Sequence, residues 1–350
     1  MRITRIEGFY RDNENARKAW QRKFWQFGVE VHTDAGLTGL GVGGAGMAGL
    51  EVVRHALAPA LVGRDSCEVE ARWDEMYRAT LPFGRRGVAL MAMSAIDLAL
   101  WDLVGKVRGQ PVWRCLNDRA PARIRSYATT PHVEACRDLG FQAFKLPVSE
   151  GPADGEAGLE RLERKVAAAR ASAGADVPLM IDCWMGWDLG HASRAIERLA
   201  PYRLAWIEEP LPPDDLAEYR ELGARARAAG TRLAAGEHEY GWAGFRDLLE
   251  SDAVAVLQPD VTWCGGLTPA LKVWRAAEAG GKVMAPHRGG EVWGLHLNFA
   301  FGGQWAECVC LDGHSEDDPL VEGAPVCCDG FFAPPEAPGF GVRWRKGVWG

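Results

Sequence analysis

Six charged residues, Asp182, Glu208, Glu237, Asp260, His287 and Glu307, each stand at or near the end of a short apolar run and lie 20 to 29 positions apart. That interval holds one strand and one helix. The runs read LMIDC, AWIEEP, LAAGEH, AVLQPD, KVMAPH and WAECVC, and segments of helical spacing separate most of them, such as the one with Leu159, Leu162 and Val166. Short buried runs alternating with amphipathic helices predict repeated βα units and a parallel sheet. Two further runs, AFKLP near Lys145 and RSYATT near Thr130, bring the strands to eight. Eight such units close into a barrel whose strand C-termini converge on the face that carries chemistry.

A barrel needs roughly 200 residues, and the chain has 350. The N-terminal remainder contains FGVEVHTDAGLTGLG, alternating like a hairpin around Asp34, Gly36 and Gly39, and MAMSAIDLALWDLVGKVRG, a long apolar helix ending near Gly109 with Pro111 beyond. Strands followed by helices ahead of the βα repeat predict a separate unit. The expected architecture is α/β: a modified (β/α) TIM barrel over residues 121–318, an N-terminal α+β capping domain over 1–120, and a Pro/Gly-rich segment, 319–350, returning to the cap.

Composition narrows the function classes. The chain is 47% hydrophobic and 25% charged, carries a net charge of −7, and reads as having no apolar stretch long enough to span a bilayer. The N-terminus turns charged too early for a signal peptide, so a soluble cytoplasmic protein is expected, with neither a nucleic-acid nor a membrane partner. Nine cysteines without a CxxC pair read as reduced thiols, with no zinc site.

Asp182, Glu208 and Glu237 end three consecutive predicted strands, so a barrel sets them side by side. Any one alone would serve as a helix cap or an ion pair. Three together repel one another unless a cation sits among them, and hard oxygen ligands select magnesium. Of the adjacent Glu208 and Glu209 one points into the site; Glu208 is taken as ligand and Glu209 as its hydrogen-bonding neighbour, while Asp188 reads as a helix cap. Asp260 and His287 end the next two strands, and a carboxylate behind an imidazole fixes its tautomer and raises its basicity for proton abstraction. Lys145, or Glu307 with a raised pKa, would stabilise the charge of an enediolate formed alpha to a carboxylate.

LMIDCWM, WIEEPL, AAGEHE, LQPDVTWCGGLT and APHRGGE, with the cap helix SAIDLALWDLVGKVRGQPVWRCL, resemble the mandelate racemase group of the enolase superfamily across nearly the whole chain. Among its subgroups, FKLP, GPADGEAG, IDCWM and PGFGV are most similar to L-rhamnonate dehydratases and related acid-sugar dehydratases. The resemblance implies Mg on Asp182, Glu208 and Glu237, an Asp260/His287 dyad as base, Glu307 as hydrogen-bond donor to a small sugar-acid substrate, and a homo-oligomer. Where the racemases carry Lys-x-Lys, this chain reads Lys145, Leu146, Pro147. That leaves one catalytic proton acceptor and favours dehydration.

The early loop is shorter than in the rhamnonate dehydratases, with only about 28 residues before VEVHTDAG. Candidate substrate contacts are His238, Arg22 and Arg86, with Arg17, Lys23, Arg85 and Arg288 as further charges. An acid-sugar epimerase on the same scaffold and a non-catalytic ligand-binding relative are the alternatives.

Overall fold

A computed structural model describes every residue except 15, 17, 118–120, 315–317 and 350. The boundary expected near residue 120 and the candidate Arg17 lie outside the described residues. The cap opens with an antiparallel sheet in the order β1 (Ile3–Tyr10), β2 (Phe27–Thr33), β3 (Thr38–Gly43). β2 and β3 form the hairpin read from the sequence; β1, whose sequence ITRIEGFY lacks a clear alternation, pairs with β2 at the outer side.

Against this sheet packs the helix Val88–Arg108, stopped by Gly109 in the left-handed conformation at φ 63°. By length and composition this helix is apolar enough to cross a bilayer, which corrects the sequence reading, and 83% of its most apolar window is buried inside the protein. Its apolarity serves two partners at once. One side meets β2 and β3, and another meets the barrel.

Eight parallel strands make the barrel: β4 (Ile124–Thr129), β5 (Phe144–Pro147), β6 (Leu179–Asp182), β7 (Ile207–Glu208), β8 (Leu233–Ala235), β9 (Val256–Leu257), β10 (Val283–Met284) and β11 (Ala306–Val309). Each pairs with the next in chain order from β4 to β10, and β11 returns to pair with β4. The seam between β10 and β11 is spanned by the loop after β10, where Gly290 N–H donates to the Glu307 carbonyl at 2.9 Å. Helices such as Gly155–Ala173, which buries Leu159, Leu162 and Val166, cover the outside. Burying a row of such side chains is worth roughly 1.5–3 kcal/mol each before entropy is counted.

The tail touches both units: on the barrel side Phe331 and Phe332 pair antiparallel with Arg125 and Ile124 of β4, and two further contacts are with the cap. Phe340 N–H donates to Asp102 of the cap helix at 2.8 Å, and Trp349 stacks on Phe9 of β1 with ring centroids 6.4 Å apart.

A ring of charged side chains at the barrel mouth

Successive residues of a strand point to opposite faces, so every second side chain of a barrel strand faces the interior. Tyr127, Ala143, Met180, Trp206, Ala234, Val256 and Ala285 pack together with Trp305 to fill that interior. Two positions further along seven of the eight strands come Thr129, Lys145, Asp182, Glu208, Gln258, His287 and Glu307. The polar ring is therefore the layer directly above the apolar plug. On β8 the alternation breaks: Gly236 has φ 128°, and a Cβ there would lie 2.8 Å from Phe245 on the covering helix. Glu237 takes the inner position instead.

Lys145 stands fully buried at the centre of the carboxylates. Its ammonium donates to Glu208 Oε1 at 2.6 Å and lies 2.8 Å from Glu307 Oε1 and 3.2 Å from Asp182 Oδ2. Burial works against its charge, but Glu208, Glu307, Tyr127 and Asp182 outweigh that and hold the ammonium well above its usual range. Glu208 Oε2 accepts from Gln258 Nε2 at 2.6 Å and Trp206 Nε1 at 3.2 Å. Burial still pushes Glu208 up to about 8, and burial with the charges of Glu209, Asp182 and Glu208 raises Glu237 well above the usual carboxylate range. One ammonium does not neutralise this group, and a hard divalent cation fits the donor set.

Glu307 departs from expectation. A hydrogen-bond donor needs a raised pKa, yet this carboxyl is pushed down to about 2: burial raises it, but Lys145, His287 and the Thr129 hydroxyl more than offset that. Its Oε1 accepts from Thr129 and its Oε2 from Arg288 N–H at 2.8 Å. Glu307 is an acceptor in this arrangement because three donors converge on it.

His287 Nδ1–H donates to Asp260 Oδ2 at 2.8 Å, and its Nε2 lies 3.4 Å from Glu237 Oε1. Asp260 sits three residues beyond β9, in a loop, and its Oδ1 accepts from Thr262 N–H and Oγ1 at 2.6 and 2.7 Å. Burial opposes the charge on Asp260, but the hydrogen bond and charge of His287 win and depress its pKa. A carboxylate on Nδ1 makes Nε2 the basic nitrogen, aimed at the carboxylate cluster.

Glu209, adjacent to Glu208, has φ 38°, which swings its carboxylate to His238: Oε2 lies 2.7 Å from Nδ1 and Oε1 accepts the His238 N–H at 3.1 Å. Glu209, Glu237 and His238 offer ligand atoms all within 4.8 Å of one another. Glu209 thus stands closer to the candidate cation position than its expected supporting role. The His238 ring itself is held between Trp184 and Trp263.

Above the ring opens a cavity of about 710 Å³, lined by Glu237, His287, Glu307, Trp263 and Arg288 from the barrel and by Asn13, Lys18, Trp20, Trp25 and Gln26 from the early loop. A cleft of similar size between helices Val133–Asp138 and Gly155–Ala173 lies outside the barrel and lacks the converging carboxylates. Arg22 and Arg86 do not line this cavity, contrary to expectation. Arg22 reaches Asp12 at 4.0 Å and Arg86 reaches Glu239 at 3.6 Å, so each is drawn off by a nearby carboxylate. Lys23 is likewise paired with Asp12. The loop's contribution is Lys18, over the Trp184 ring at 2.9 Å, together with Trp25. Sequence reasoning missed both, and it also missed Gln258, although the period-two spacing of Val256 and Gln258 marks it.

Residues 130–348 match the family described as Enolase C-terminal domain-like, and residues 23–116 match the mandelate racemase/muconate lactonizing enzyme N-terminal domain. An L-rhamnonate dehydratase of Saccharopolyspora erythraea is 39% identical over 327 residues, covering 91% of this chain and 83% of the relative. The crystal structure of rhamnonate dehydratase from Gibberella zeae complexed with Mg superposes with a TM-score of 0.91 at 28% identity, over 99% of this chain and 95% of that one. A racemase from Streptomyces coelicolor with bound magnesium reaches a TM-score of 0.85, also at 28% identity, over 98% and 97%.

Proposed function

The chain belongs to the mandelate racemase/muconate lactonizing enzyme group of the enolase superfamily, and on that premise we propose that it is a Mg-dependent aldonate dehydratase, acting on an L-rhamnonate-like acid sugar to give a 2-keto-3-deoxy acid. The observation that carries this reading is a single oriented base. His287 has Asp260 on Nδ1 and its Nε2 directed into the ring, whereas the facing strand β5 offers Lys145 and Pro147.

Lys145 is held protonated by its carboxylate neighbours, and proline has no titratable group. A racemase needs proton acceptors on both faces of its substrate, and a dehydratase needs one. In the proposed reaction His287 Nε2 takes the C2 proton, Asp260 balances the imidazolium, and the same proton passes to the 3-hydroxyl as its C–O bond breaks and water leaves. The enol then becomes the ketone. Lys145 places a fixed positive charge where negative charge develops on the substrate carboxylate. Asp182, Glu208 and Glu237 would hold the Mg, which polarises that carboxylate and lowers the cost of removing the C2 proton.

The relatives' activity and the Mg in the Gibberella zeae structure support this assignment. The test is to incubate Mg-loaded protein with a stereochemically broad aldonate library and trap 2-keto-3-deoxy acids with semicarbazide. Product from any aldonate supports the reading, and deuterium exchange at C2 without loss of water would favour an epimerase instead.

The same reading includes a cap over 1–120, a barrel over 121–318 and a tail returning to the cap, supported by the stacking of Trp349 on Phe9. It also includes a homo-oligomer working in the cytoplasm, the first part of which light scattering tests.

A further inference from the structure

Arg288 is set apart by its backbone. It follows the base His287 with φ 52°, a left-handed conformation that a long L side chain rarely adopts. That turn aims its N–H back at Glu307 and sends its side chain the other way, to Glu291, whose Oε1 accepts from both Nε and Nη2. The guanidinium lies under Trp25 of the early loop, 5.3 Å from the ring centroid. Its remaining nitrogen, Nη1, is buried with no hydrogen-bond partner. Both Arg288 and Glu291 line the active cavity, together with Asp318 and Glu322. A left-handed backbone and a neutralised ion pair stand in one wall of the cavity, and the unpartnered donor buried behind them is polar capacity that calls for a ligand.

The chemistry of the wall selects among acid sugars. An arginine whose charge is already matched by Glu291 is a poor anchor for a second carboxylate, which would also meet Asp318, while Glu322 is paired with Arg343 at 2.8 Å. It is a good partner for hydroxyls: the guanidinium donates to their oxygens, and the glutamate accepts their protons. Resting on the dehydratase reading above, we propose that Arg288, held by Glu291 and covered by Trp25, is the specificity-determining residue that reads the hydroxyls beyond C3, so that the site takes polyhydroxylated monocarboxylates and rejects aldarates.

The experiment compares Mg-loaded wild type, Arg288→Met and Arg288→Lys on three ligands: the six-carbon aldonate bound most tightly by the wild type, its aldarate, and glycerate, which has no hydroxyl beyond C3. Dissociation constants come from calorimetry and turnover from semicarbazide trapping. The expected result is at least tenfold weaker binding of the six-carbon aldonate to Arg288→Met, seen in KM rather than kcat, with glycerate affected less than threefold and the aldarate bound at least a hundredfold more weakly than the aldonate by the wild type. Arg288→Lys keeps the charge opposite Glu291 but loses the planar fork, so it tests the same point if Arg288→Met does not fold; its aldonate binding falls severalfold. Equal losses on glycerate and the six-carbon aldonate, or unchanged aldonate binding, overturn the inference. Aldonate binding that weakens in the variants with no turnover by the wild type overturns the dehydratase reading and leaves this one standing. A wild type that binds no aldonate overturns both.

Discussion

Asp97 of the cap helix and Thr268 of the barrel, 171 residues apart in sequence, are joined by two hydrogen bonds: Thr268 N–H donates to Oδ2 at 3.0 Å, and its hydroxyl donates to Oδ1. The loop after β9 that carries Asp260 and Trp263 ends on this contact. The cap helix and Asp260 are thereby anchored to one short segment.

Gly266 makes that approach possible, with φ 101° and an added Cβ lying 2.1 Å from Asp97 Oδ2. Gly266→Ala is expected to destabilise the protein by about 2 kcal/mol or more, through strain and loss of the Asp97 contact. A thermal melt matching the wild type would show that the loop relaxes freely.

Burial raises Asp97 to about 7, with the Thr268 hydrogen bonds opposing. A carboxyl whose pKa is higher folded than unfolded favours the fold fully below the unfolded value, and that contribution is lost as pH rises through the folded one. Asp97→Asn should therefore lose less stability than the wild type between pH 4 and 8, by up to about 4 kcal/mol. Urea melts at the two pH values measure it, and parallel behaviour of the two proteins would contradict the assignment.

His287→Asn is expected to lower kcat by at least ~10³-fold while leaving Mg affinity intact, if its imidazole is the base and not a ligand, as proposed above. Near-wild-type turnover would remove His287 from the reaction. Asp260→Asn should retain a smaller residue of activity, because it frees the imidazole to adopt the wrong tautomer.

Glu237→Gln should weaken Mg binding by roughly tenfold or more, by analogy with the cost of disturbing a ligand shell. In the wild type, Glu208 is pushed by burial up to about 8, so it must lose a proton as the cation enters. Mg affinity should then rise as pH goes from 6 to 8, with proton release visible as a buffer-dependent heat. A flat pH dependence would dissociate Glu208 from the metal.

Much of the charged ring at the barrel mouth was legible in the chain because its cause is local. A strand that fills a barrel with Met180 or Trp206 must turn Asp182 or Glu208 to the same side two residues later, and seven of the eight strands repeat that pattern at one mouth. The long helix and its stop at Gly109 were legible for the same reason, since hydrophobic spacing and glycine conformations are written in neighbouring residues. The βα interval alone pointed to Asp182, Glu208 and Glu237 as the proposed metal ligands, whereas the turn that brings Glu209 beside Glu237 and His238 was not visible in it.

The tertiary structure decided what depends on distant charges and on single backbone turns. Arg22 and Arg86 were plausible contacts until Asp12 and Glu239 drew them away, whereas Lys18 and Trp25 reach the cavity only because the early loop folds over Trp184 and Arg288. Glu307 was expected to donate a hydrogen bond, and in the fold it faces the Lys145 ammonium, the Thr129 hydroxyl and the Arg288 N–H, which converge on it from three separate segments and lower its pKa. Periodicity specifies which way a side chain faces; which partner it meets there, and with what charge, is set by electrostatics between segments that only the closed barrel and its cap bring together.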